Sequence, residues 1–189
     1  MKNLINVFIL GSLFLFVTAC SKKLPPWAEN DVCTCGATAE WIRLSPPEGI
    51  ATILMPSQPS GRTNTQDTKT GKVIIHEFTV NSSSNAVFVL TFAEFPDILD
   101  LSDSEAVLDR GLKGVVGVDG KLVSDSEISL DGYAGRETDI KKIGERFLVG
   151  MRMYLVGQQI VQAVCTMEMD SLCQKHMHKF LDSIKIKLD

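Results

Sequence analysis

Residues 73–95 read VIIHEFTVNSSSNAVFVLTFAEF. Val73 to Val80 and Ala86 to Phe95 are rich in β-branched and aromatic residues, and the polar Asn81-Ser82-Ser83-Ser84-Asn85 separates them. This pattern predicts a β-hairpin. In the second arm Phe88, Leu90 and Phe92 share one face, while Val87, Val89 and Ala93 share the other. Both faces are apolar, so the strand is expected to be central in a sheet covered on both sides.

Working outward, Phe147 to Val156 and Ile160 to Met167 form a second strong hairpin across Gly157-Gln158. Between the two hairpins, Ser102-Asp103-Ser104-Glu105 matches a capping box. Leu108, Leu112 and Val115 then follow at helical spacing as a core-facing stripe. Gly111, Gly114 and Gly117 predict that this helix is short. Asp119-Gly120 signals a turn. Leu122 to Leu130 and Arg136 to Ile143 read as strands around Asp131-Gly132-Tyr133-Ala134-Gly135. Asp97 to Asp100 leaves the sheet after Pro96.

Upstream, Trp41 and Ile42 begin a first strand, and Pro46 to Gly49 make a turn. Ile50 to Met55 is a short apolar strand ended by Pro56 and Pro59. The polar stretch 57–72 reads as a mobile loop. At the far end Asp170 or Ser171 caps a helix reaching about Ile184, with Cys173, Met177, Phe180 or Leu181, and Ile184 as its apolar stripe. The order is strands, helix, strands, helix. It implies an α+β fold with a largely antiparallel sheet.

The first twenty residues carry an address. Lys2 is followed by the apolar run Leu4 to Val17, too short to span a bilayer as a helix, and then by Thr18-Ala19-Cys20. Val17-Thr18-Ala19-Cys20 resembles the lipobox of bacterial lipoproteins, in which the cysteine is acylated and becomes the new N-terminus. The expected organisation is a cleaved signal peptide over 1–19, a lipidated Cys20 with a tether over 20–40, and a domain over 41–189. Pro25 and Pro26 favour an extended tether. Cleavage removes one of 19 basic residues and none of 23 acidic ones, leaving a net charge of −5. That balance argues against nucleic acid as a partner, since phosphate binding needs clustered Lys and Arg. Membrane attachment falls to the lipid instead. Ser21 after the lipidated cysteine suggests outer-membrane sorting with the domain facing the periplasm.

Candidate chemistry is sparse. There is no H-E-x-x-H, G-x-S-x-G, phosphate-loop or dinucleotide motif. Cys33, Cys35, Cys165 and Cys173 make an even set, which in an exported protein suggests disulfides of undetermined pairing. Joined by His176, His178 and nearby methionines, they form a soft donor set. However, His176 and His178 lie about 200° apart on a helix, on opposite sides of it. Cys33-Thr34-Cys35 has no Lys or Arg within seven residues to lower a thiol pKa. The sequence therefore implies no cofactor and no metal. A metal-handling or thiol-redox protein using Cys33 and Cys35 is the alternative reading. Tyr133 and Arg136, types enriched at interface hot spots, form a candidate interaction patch.

Several segments together resemble the PsbP-like superfamily: Gly49 to Pro56 (GIATILMP), Leu90 to Pro96 (LTFAEFP), Ser129 to Glu137 (SLDGYAGRE), Arg146 to Gly157, and Phe180 to Ile186 (FLDSIKI). The resemblance spans residues 41–189. The Gly-Tyr-x-Gly-Arg-Glu stretch before a long hairpin and a closing helix is its most specific part. Ala134 departs from the proline common in related bacterial stretches. The resemblance implies an α/β/α sandwich around an antiparallel sheet. Known members include a photosystem II extrinsic subunit and a Ran-binding import factor, which act by binding proteins. The expected role is therefore non-catalytic protein binding or envelope assembly, with an envelope protein as partner.

Overall fold

The computed structural model describes residues 40–82, 86–118, 120–142, 146–169 and 171–187, the side chains of 171–173 excepted. The signal segment, Cys20, the tether up to residue 39, Cys33, Cys35 and Asp170 lie outside the described residues.

Among the described residues there are ten strands and two helices, in chain order: β1 Ile42–Leu44, β2 Ala51–Met55, β3 Ser60–Thr68, β4 Gly71–Asn81, β5 Val87–Glu94, α1 Ser104–Val116, β6 Lys121–Leu130, β7 Tyr133–Lys142, β8 Phe147–Val156, β9 Gln159–Glu168, α2 Ser171–Leu181 and β10 Lys185–Ile186. A seven-stranded antiparallel sheet runs β3-β4-β5-β9-β8-β7-β6. A small sheet, β1-β2-β10, lies apart from it. The main sheet is the middle layer. One face packs α1 against Ala93, Val149, Met151, Met153 and Val164. The other packs α2 and β2 against Phe88, Leu90, Phe92, Val161 and Cys165. The two apolar faces of β5 go to the two cores as expected, Phe88, Leu90 and Phe92 to one and Ala93, with the partly buried Val89, to the other.

Four expectations need correction. The stretch expected to be a mobile loop contains β3, paired residue for residue with β4 from Ser60↔Thr79 to Thr68↔Gly71. It is an edge strand, largely exposed, so hydrophobic alternation is absent; partner hydrogen bonds rather than its own burial hold it in place. Helix α1 is capped by Asp103, not Ser102: the Asp103 carboxylate accepts from the Ala106 amide at 3.0 Å, while the Ser102 amide donates to Asp100 Oδ1 at 2.9 Å. Despite its glycines α1 runs 13 residues, because Val107, Leu108, Gly111, Leu112 and Val115 are all buried and tertiary packing outweighs propensity. Helix α2 stops at Leu181, and the chain after it extends as β10 beside β2. There Ser183 Oγ accepts from the Leu54 amide at 2.8 Å and donates to the Phe180 carbonyl at 2.6 Å.

Register gives the domain two poles. The turns β3–β4, β6–β7 and β8–β9 lie at one end, where Thr68 faces Gly71, Leu130 faces Tyr133 and Val156 faces Gln159. Glu94 faces Gln159, so the segment between β5 and α1 starts at this turn pole too. Trp41 lies toward the other pole. Its ring sits 5.9 Å from that of Phe88, the second residue of β5.

Candidate functional site

The SLDGYAGRE segment has a tight local explanation. Asp131 (φ 53°) and Gly132 (φ 85°) are the two positive-φ residues of a two-residue hairpin turn joining β6 to β7. Gly135 is a strand residue, not a turn residue. A Cβ there would lie 2.5 Å from the Tyr154 ring and 2.6 Å from the Met153 carbonyl, so glycine is needed for close approach rather than for φ. Tyr133 and Arg136 are three apart on this strand and so point to opposite faces. Tyr133 packs on the α2 side. Arg136 turns to the α1 side, 11% exposed, between Asp109 of α1 (2.5 Å) and Asp125 of β6 (3.1 Å). The structure therefore does not bring Tyr133 and Arg136 into one patch.

Other charged side chains also bind the layers together. Arg152 donates to Glu137 (2.8 Å), to Asp182 (2.6 Å) and to the Leu181 carbonyl (3.1 Å), fastening the end of α2 to the sheet. Burial works against its charge, but Glu137 and Asp182 hold its pKa above the ordinary value. Beside it, burial pushes the Tyr154 hydroxyl up. On the α1 face, registered pairs line up Arg62, Glu77, Thr91, Gln162, Met153, Arg136 and Glu127 across all seven strands. In this row Arg62 grips the buried Glu77 at 2.9 and 3.0 Å. Thr91 Oγ1 and Gln162 Oε1 are buried without a hydrogen-bond partner.

Cys165 is fully buried on β9, facing the α2 layer between Phe88 and Gly150 in register. Cys173 lies in the first turn of α2, its side chain outside the described ones. Trp41 stands 5.9 Å from the His176 ring, with Lys179 Nζ 4.5 Å from its centroid. Burial, then the Lys179 charge, lowers the His176 pKa, and its Nδ1 is buried without a hydrogen-bond partner. His178 is exposed. His76 sits in a cross-strand row, 3.0 Å from Thr63 Oγ1 and 4.0 Å from Glu94, which accepts from Gln159 at 3.2 Å. Among the described residues no three His, Cys, Asp or Glu side chains are grouped to hold a metal ion.

A concave feature lies at the turn pole. An open pocket of about 540 Å³ is lined by residues 97–102 from the β5–α1 connection and by Gly157 and Gln158 of the β8–β9 turn. The Phe95 amide donates to the Gln158 carbonyl at 2.9 Å, which ties the two walls together. Gly157 makes the turn with φ 59°. Ile98 stands 80% exposed here, between two carboxylates in sequence, Asp97 and Asp100. Hydrogen bonds from the Ser102 side chain and amide hold the Asp100 carboxyl below the usual range. Sequence reasoning passed over this segment as a mere exit from the sheet. The available signal was the apolar Ile98, Leu99 and Leu101 interleaved with acids directly after Pro96.

No family model matches the chain, and no curated protein sequence does. Among solved structures, it is similar to the solution structure of cyanobacterial PsbP (CyanoP) from Synechocystis sp. PCC 6803. The TM-score is 0.55 at 14% identity, over 84% of this chain and 99% of that one. A Pseudomonas aeruginosa protein of unknown function gives a TM-score of 0.35 at 10% identity, over 74% of this chain and 90% of that one. The first likeness establishes the fold: a PsbP-like α+β sandwich of mostly antiparallel sheet with two helices. It says nothing about activity.

Proposed function

We propose that this chain is a lipid-anchored bacterial envelope protein with a non-catalytic, protein-binding or assembly role. Cys20 carries the lipid, residues 20–40 form the tether, and the PsbP-like domain stands in the periplasm from the outer membrane. Its partner is an envelope protein, not nucleic acid. The observation that carries the binding role is Ile98, a large apolar side chain left 80% exposed in an open, acid-rimmed pocket. What sets Ile98 apart is its place in a concave site, an apolar centre within a polar rim, which is the make-up of an interface core. Position supports the same reading. Trp41, near the start of the described residues, lies toward one pole, and the pocket lies at the other.

Two measurements test this. Metabolic labelling with an alkyne fatty acid should mark the wild-type protein and fail on Cys20→Ala. Chemical crosslinking in cells, followed by stringent purification, should recover a defined envelope protein in constant ratio to this one. Recovery of none would remove the binding role, and labelling unaffected by Cys20→Ala would remove the anchor.

A further inference from the structure

We infer that the turn-pole pocket takes a basic segment of the partner protein, an apolar side chain flanked by Lys or Arg. This rests on the binding role proposed above and specifies its chemistry. The pocket has two kinds of wall. Ile98, Leu99 and Leu101 supply apolar surface, and Ile98 is the most exposed part of it. Asp97 and Asp100 supply two carboxylates, and no Lys, Arg or His is among the lining residues. The Ser102 hydrogen bonds keep Asp100 fixed in its ionised form. The wall therefore offers acceptors and negative charge without cations. An acidic segment would be repelled, and a purely apolar one would desolvate both carboxylates without replacing their water. A segment with N–H donors on either side of an apolar residue satisfies both walls at once. Lys and Arg side chains provide those donors, and their aliphatic stems extend the apolar contact. The site needs no rearrangement to be reached, because its walls are fixed by the Phe95–Gln158 bond and the α1 cap at Asp103.

The test uses the full chain in its own cells. A photoreactive amino acid is placed at Ser102, an exposed lining residue whose replacement removes its side-chain bond but keeps the amide bond to Asp100 and leaves Ile98 in place, and in parallel at Arg146, an exposed residue at the opposite pole. The crosslinked partner segment is then mapped by mass spectrometry. From Ser102, the expected segment carries at least two Lys or Arg next to an apolar residue. Asp97→Asn with Asp100→Asn should lower that yield about tenfold, and Ile98→Ser should lower it similarly, while any Arg146 crosslink is unchanged. Asn at position 100 still accepts from the Ser102 amide, and a thermal melt of each variant confirms that the fold is kept. A mapped segment without basic residues, or a yield indifferent to neutralising both carboxylates, overturns the inference but leaves the binding role standing. Crosslinks from Arg146 and none from Ser102 also overturn it. Crosslinks from neither position count against both.

Discussion

At the scale of the residue, Gly135 shows how one missing Cβ is built into the core. The Tyr154 ring lies across it, directly opposite in register. Gly135→Ala should cost about 1–3 kcal/mol in urea unfolding, the usual penalty for overpacking. Thr91 is the converse case, a buried hydroxyl without a partner in the middle of the sheet. Replacing it by the isosteric valine should raise stability by about 1 kcal/mol, since an unsatisfied buried group is removed and no cavity is left. His176 couples the fold to pH. Its pKa is lowered in the folded state by burial and by Lys179, so below the ordinary value of 6.5 the unfolded chain binds the proton more readily. Its contribution is present above pH 6.5 and is lost as the pH falls below it. Urea midpoints at pH 7.5 and pH 5 should therefore differ more in the wild type than in His176→Gln. None of these features is readable from sequence alone. The glycine was visible, but which ring lies across it depends on a partner strand 19 residues away, and the hydroxyl and the histidine owe their states entirely to what packs over them.

At the scale of the element, the helices and the edges of the sheet behaved differently. The α1 stripe of Leu108, Leu112 and Val115 was legible because helical periodicity records which side is buried, and all three are buried. The cap was misplaced by one residue because Ser102, Asp103 and Ser104 are all competent cap residues, and local geometry chose among them. Asp103→Ala should lower stability by about 1 kcal/mol in chemical denaturation, whereas Ser102→Ala should change it little. Strand β3 escaped recognition for the opposite reason. Serine, threonine, asparagine and glutamine on an exposed edge carry no burial signal, and only the register with β4 makes them a strand. The pocket at the turn pole was missed on the same grounds. Its two walls are nearly sixty residues apart and meet because β5 and β9 are neighbours.

At the scale of the whole molecule, the two poles give the proposed anchor a geometric consequence. The ten-residue strands β6 to β9 carry the domain about 33 Å from pole to pole. On the proposed anchor at Cys20, with the described chain beginning near Trp41, the expected arrangement puts the turn pole farther from the bilayer than the pole near Trp41. With the lipidated chain in vesicles holding a lipid-phase quencher, a fluorophore at Arg146→Cys should be quenched more than one at Ile98→Cys. Equal quenching would mean that the domain tumbles freely on its tether, and the orientation argument would lapse.

What the sequence by itself determined follows from short-range physics. Alternation and apolar runs marked the two long hairpins, spacing marked the helical stripes, and the segment read as the break between two strands holds the positive-φ pair Asp131-Gly132. Those local signals, in their order, were enough for an α+β fold with a largely antiparallel sheet, and the sandwich was what the PsbP-like resemblance implied. Tertiary structure alone decided which side chains share a face and which polar groups are consumed in holding layers together. It held the half-buried Arg136 between two aspartates, put Tyr133 on the other side of the sheet, and left Ile98 in the open. The reason is register: a side chain's surroundings depend on the strand beside it, and that strand is often far away in sequence, as β9 is from β5.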